Sequence, residues 1–128
     1  MNRGYLRVST TEQDREEISL QAQREKIKAC VGDEAVVFYE DTEDAGSGNR
    51  KAFKHLIKEL EGGDKVLVWG LDRVSKSVLD IVELLRILED KKSILVSCRE
   101  SFDSSSASGR AWARMLNIFA EFEPKVCF

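Results

Sequence analysis

The sequence predicts an α/β domain: a mostly parallel sheet of four to five strands, helices on both faces, and the start of a long helix at the end. Two observations carry this. Short, wholly apolar β-rich runs recur along the chain, and amphipathic helical runs separate them. At 128 residues the chain is long enough for one core of its own.

The first strand is expected over Gly4 to Val8, with Arg7 and Ser9 at its carboxyl end. Thr10 with Gln13 three residues on has the form of a capping box, which puts Ser9 just outside a helix N-terminus, where anions are favoured. Leu20, Ile27 and Val31 give the first helix its inner side, and Ala35 to Tyr39 form the second strand. Phe53, Leu56, Ile57 and Leu60 share one face of the second helix, which Gly62-Gly63-Asp64 stops. Val66 to Trp69 form the third strand, and Ile81, Leu84, Leu85 and Leu88 line the third helix. Ile94 to Val96 form the fourth strand. A final helical run places Trp112, Met115, Ile118, Phe119 and Phe122 in one stripe, which reads either as core packing or as a subunit interface. Pro124 is expected to end that helix, leaving residues 124–128 as a short tail after a domain of residues 1–123.

Composition narrows the function. Hydrophobic residues at 42% and charged residues at 34% suit a cytoplasmic protein, with no membrane span or signal-peptide pattern. Cys30, Cys98 and Cys127 lack ligand spacing and read as reduced, mostly buried thiols. His55 reads as a solvated surface residue. A formal charge of −3 argues against a free-standing nucleic-acid binder, so affinity for DNA would have to come largely from elsewhere.

In parallel sheets ligands bind beyond the carboxyl ends of the strands. The loops expected there hold Arg7 and Ser9, then Glu40 to Arg50, then Gly70 to Ser77, then the serine-rich run Phe102 to Arg110. One sheet edge thus gathers the Ser9 hydroxyl with four cations, Arg7, Arg50, Arg73 and Lys76, which suggests phosphoryl chemistry. Carboxylates are absent after the first strand, which argues against a metal-dependent phosphoryl enzyme or a response-regulator-like module. The acidic run Glu40 to Asp44 is read as a solvated loop rather than a magnesium site, and no metal or cofactor is expected.

Five motifs in this order resemble the catalytic domain of the serine recombinases, the resolvases, invertases and phage integrases: Tyr5-Leu6-Arg7-Val8-Ser9-Thr10, Ser19-Leu20-Gln21-Ala22-Gln23, Gly46-Ser47-Gly48-Asn49-Arg50, Leu71-Asp72-Arg73-Val74-Ser75-Lys76-Ser77, and Phe119-Ala120-Glu121-Phe122-Glu123. The resemblance runs from Tyr5 to about Glu123, and the long segment after Ser9 with the Glu100 to Asp103 loop is more similar to the large serine recombinases. It implies a resolvase-like fold and site-specific recombination of double-stranded DNA through a 5′-phosphoserine intermediate. In the implied roles Ser9 is the nucleophile and Arg7, Arg50, Arg73 and Lys76 hold the phosphate. Asp72 fixes the arginines or handles a proton, and Gln23 supports the site by hydrogen bonding. It further implies a homodimer that assembles into a tetramer on DNA. Lys76 stands where the family pattern has arginine, and Pro124 where its last helix continues. These departures keep open a catalytically impaired remnant that serves as an oligomerisation or regulatory partner.

Overall fold

The computed structural model describes residues 1–9, 19–43, 50–74 and 77–126. Five strands, β1 (Asn2–Ser9), β2 (Val36–Glu43), β3 (Lys65–Val68), β4 (Ile94–Ser97) and β5 (Phe102–Asp103), form one sheet in the order β2-β1-β3-β4-β5. The first four are parallel, and β5 runs antiparallel to β4. The helices are α1 (Leu20–Val31), α2 (Lys51–Glu59), α3 (Val78–Asp90) and α4 (Ala107–Val126), with a short 3-10 turn at Leu71–Arg73.

Alternation along β1 sends its side chains to two cores. Leu6 meets Ile27 of α1 and Leu67 of β3 on one face. Tyr5 faces the larger cluster, where Leu56 of α2, Leu84 and Leu88 of α3 and Leu116 of α4 pack with Val66, Val68 and Leu95. Helices therefore cover both faces, as expected. Ser19 caps α1 by accepting from the Ala22 N–H at 3.1 Å. Gly63, at φ +88°, makes the turn into β3.

Strand order explains where a ligand would sit. The chain leaves β1 for β2 on one side, then returns past β1 to β3 on the other. Connections diverge between β1 and β3, and a crevice opens at their carboxyl ends.

Several sequence expectations need correction. β2 continues to Glu43, because β1 runs beside it from Leu6–Glu40 to Ser9–Glu43 and supplies backbone partners whatever the side chains. Asp41 is accordingly no solvated loop residue: it is buried, accepts the Tyr5 hydroxyl at 2.7 Å, and takes the Ala52 and Phe53 N–H groups that open α2. The serine-rich run leaves the carboxyl edge altogether. It contains β5, a strand too short to show periodicity, which turns the chain back so that Ser104 bonds both ways with Leu95. Ser106 then caps α4 through the Gly109 N–H at 2.9 Å. Pro124 does not end α4, which runs on to Val126. A proline this close to a helix C-terminus forfeits one backbone hydrogen bond without breaking the preceding turns.

The thiols are not uniformly buried either. Cys30 is exposed and Cys98 half-buried, while Cys127 lies outside the described residues. Burial, then contact with the Cys30 thiol and the nearby Glu100 carboxylate, push the Cys98 thiol up to about 12. Iodoacetamide at pH 8 should therefore label Cys30 at least ~10²-fold faster than Cys98. Peptide mapping by mass spectrometry checks this, and equal rates would contradict it.

Candidate active site

β1 places Arg7 and Ser9 at the crevice. β3 ends at Val68, opposite Tyr5, so Arg7 extends beyond the strand on that side. The fully buried Gln23 of α1 takes up its backbone: Gln23 Nε2 donates to the Arg7 carbonyl at 3.0 Å, and Oε1 accepts the Arg7 N–H at 3.4 Å. Gln23 thus fixes the strand that carries Arg7.

The 3-10 turn after β3 brings the next two residues. Arg7 Nη2 donates to the Asp72 carbonyl at 3.0 Å. Arg73, almost wholly buried, donates from Nη1 to the Arg7 carbonyl at 3.2 Å and from Nη2 to Asp72 Oδ2 at 3.4 Å. The third guanidinium comes from the head of α2. Arg50 adopts left-handed backbone angles (φ 48°, ψ 50°), an uncommon state for a non-glycine residue and one that clusters at functional sites. Its head lies 4.3 Å from the Phe53 ring centroid and donates to the Arg73 carbonyl at 3.4 Å. Asp41 supplies the acceptors that open α2, a role no guanidinium can fill, and the Arg50 head reaches the crevice by donating to the Tyr5 hydroxyl and the Arg73 carbonyl.

Five sequence-nominated residues thus form one bonded group: Arg7, Gln23, Arg50, Asp72 and Arg73. Each guanidinium spends donors on backbone carbonyls, which fixes its orientation. Ser9 ends β1 at the same edge. The Ser9 side chain, Lys76 and the Thr10–Gln13 capping box lie outside the described residues.

Sequence reasoning missed four contributors. Tyr5 and Asp41 seat Arg50, while Arg99 and Glu100 hold the 3-10 turn from the end of β4. An apolar–polar alternation in β1 was available as a signal for Tyr5. For Arg99 only its place two residues after the last inward position of β4 pointed to the edge.

The α4 stripe divides. Trp112 packs against Phe102 with ring centroids 4.7 Å apart and a 59° tilt, and lies partly buried against the core that holds Leu116. Met115, Ile118 and Phe119 are 54%, 57% and 58% exposed, and the Phe122 side chain lies outside the described residues. His55 is exposed and pairs with Glu59 one turn on. Among the described residues no helix is long and apolar enough to cross a membrane.

A mostly parallel sheet with oriented guanidiniums at its switch point defines an α/β domain that presents positive charge where such sheets bind ligands. Comparison with known proteins specifies it further. The family model described as "Resolvase, N terminal domain" matches residues 3–127, and the chain belongs to that family. The chain is 32% identical over 120 residues to the DNA-invertase hin of Salmonella typhimurium, covering 94% of this chain and 59% of hin. It is also 32% identical over 120 residues to the serine recombinase gin of Escherichia phage Mu, covering 94% and 58%. The chain therefore spans about three-fifths of the length of these relatives. Among solved structures, the N-terminal catalytic domain of TP901-1 integrase superposes with a TM-score of 0.82 at 32% identity, covering 100% of both chains. A resolvase family site-specific recombinase from Streptococcus pneumoniae gives 0.76 at 28% identity, covering 99% of this chain and 91% of that one.

Proposed function

We propose that this chain is the catalytic domain of a serine site-specific DNA recombinase. The observation that carries the reading is the convergence of Arg7, Arg50 and Arg73 at the carboxyl end of a strand that finishes on Ser9. Ser9 Oγ forms a bond to a backbone phosphorus as the bond to the 3′ oxygen breaks. The products are a 5′-phosphoserine and a free 3′-hydroxyl, with one proton leaving Ser9 and one reaching the 3′ oxygen. Attack by a 3′-hydroxyl on the phosphoserine reverses the step and reseals the strand. Because the phosphodiester energy stays in the link, no nucleotide cofactor is required.

Arg7, Arg50 and Arg73 engage the non-bridging oxygens, with Lys76 as a further cation. Guanidiniums suit this role because their planar forks address two oxygens at once and remain charged. Held in place beforehand, they stabilise the charge that develops at phosphorus without reorganising. Gln23 and Asp72 keep them in place. Because α4 continues through Pro124 to Val126, the catalytic unit extends past residue 123, where the sequence suggested that it ends. The exposed apolar residues Met115, Ile118 and Phe119 of α4 form the contact between subunits of a dimer that assembles into a tetramer on double-stranded DNA.

The test is a half-site suicide substrate presented to this chain fused to a sequence-specific DNA-binding module. A covalent adduct should appear on a denaturing gel, map to Ser9, and form at an unchanged rate in excess EDTA. Failure to form any adduct in such fusions would favour the impaired remnant. Loss of the adduct on chelation, with recovery on adding magnesium, would mean that the acidic run Glu40 to Asp44 at the end of β2 holds a required metal.

A further inference from the structure

Asp72 is held from two sides, and only one side belongs to the arginine cluster. Its Oδ2 faces Arg73, whereas Oδ1 accepts from Arg99 Nη2 at 2.9 Å. Arg99 is the second residue of the loop after β4, with its own N–H bonded to the Trp69 carbonyl at 2.7 Å. Glu100 Oε2 accepts from Arg99 Nε and Nη2 at 3.3 and 3.0 Å. Glu100 Oε1 meanwhile accepts the Leu71 N–H at 3.3 Å and the Ser97 hydroxyl. The guanidinium is therefore anchored by a carboxylate that also anchors the 3-10 turn bearing Asp72.

The pair has a seat in the backbone. A Cβ added at Gly70 would lie 2.7 Å from Asp72 Oδ1 and 2.8 Å from Arg99 Cζ. Gly70 is extended (φ −150°, ψ 158°), so its lack of a side chain answers a need for space and not for unusual torsion.

We infer that Arg99 is a positioning residue that draws the Asp72 carboxylate to the rim of the crevice and so keeps the Arg7–Arg50–Arg73 cluster open to a phosphate. A carboxylate released from Arg99 would be attracted inward by the guanidiniums beside it, where it competes with a phosphate for the same donors. The inference rests on reading the cluster as a phosphate seat. It does not depend on Ser9 being the nucleophile.

Inorganic phosphate titrated into the chain, followed by the arginine Nε–H NMR signals, tests it directly. Arg99→Gln should weaken phosphate binding about fivefold, the scale of a partly exposed ion pair redirected within the site. Arg99→Lys should restore part of the loss. Gly70→Ala, whose new methyl separates the pair, should reproduce the Arg99→Gln defect with a Tm within a few degrees of the parent. The deciding measurement is the Asp72→Asn background, in which Arg99→Gln should have no further effect.

A loss that persists in that background would mean Arg99 meets phosphate itself and would overturn the inference. So would phosphate binding unaltered by Arg99→Gln, or no phosphate binding by the parent. Phosphate coupling that holds while a DNA-targeted fusion forms no Ser9 adduct would sink the recombinase chemistry and leave the role of Arg99 standing. In an active fusion, Arg99→Gln should raise the half-saturating substrate concentration and slow single-turnover cleavage, both recovering partly with lysine.

Discussion

Ser9→Ala is expected to abolish covalent attachment to DNA while the protein remains folded. β1 keeps its register with β2 through Ser9, so the residue is delivered to the sheet edge by backbone pairing that alanine preserves. The change removes the atom that forms the phosphoester bond, and no amount of charge stabilisation replaces a nucleophile. Deleting such a group from an assembled site costs about 10⁴-fold or more in rate. The measurement is single-turnover adduct formation on a half-site suicide substrate, with far-UV circular dichroism confirming the fold. An adduct that survives the substitution, or one that maps to Ser75 or Ser77, would overturn the assignment of Ser9.

That expectation draws on residues legible in the sequence. Arg7 and Ser9 follow an apolar strand, and Asp72 and Arg73 follow another, so an argument from strand ends alone finds them. Periodicity located the helices because their core-facing residues recur at helical spacing, as Ile81, Leu84 and Leu88 do in α3. Strand ends were harder to read. Apolar content marks where side chains are buried, but pairing is a property of backbones, so Glu40 to Glu43 continue β2 despite their charge. β5 escaped notice because two residues have no period. Asp41 was misjudged by its neighbours in sequence, whereas Tyr5 and α2 determine its surroundings.

The two ends of the sheet use charge differently. At the carboxyl end the guanidiniums donate to backbone carbonyls and present positive charge to the crevice. At the amino end charges are cancelled in pairs. Arg3 Nε donates to Asp64 Oδ2 at 2.8 Å, and Arg3 Nη1 to the Tyr39 hydroxyl at 2.6 Å. The Tyr39 hydroxyl in turn donates to Glu59 at 2.9 Å, so a hydrogen-bonded chain joins the turn before β3 to β1, β2 and α2. This network lies at the opposite end of the sheet from the guanidinium cluster, so a change there should leave the crevice chemistry intact in whatever fraction stays folded.

Asp64→Asn should accordingly be the most destabilising single change at the amino end. Both partners are almost wholly buried, Arg3 at 6% and Asp64 at 4% exposed. Asp64 also accepts the Glu61 N–H at 2.9 Å and pairs with the Met1 ammonium at 3.2 Å. Asparagine leaves Arg3 charged and buried without a countercharge, a loss of about 3–5 kcal/mol for a broken buried pair. For a domain of this size the melting temperature should fall by about 10–15 °C. Adding Arg3→Met to the variant should recover much of this, because the orphaned charge is then removed along with its partner. The pH dependence provides a separate check. Burial alone would raise the Asp64 carboxyl, but the Arg3 hydrogen bond, then the Glu61 N–H and the N-terminal ammonium outweigh it and hold it below the ordinary carboxylate range. Its contribution is therefore fully present above about pH 4 and lost as the pH falls through the lowered folded value. Calorimetric melting from pH 7 to pH 2 should show the parent losing more stability on acidification than Asp64→Asn. Parallel acid profiles, or a Tm shift under about 3 °C at pH 7, would mean that the Arg3–Asp64 pair contributes nothing net to the fold.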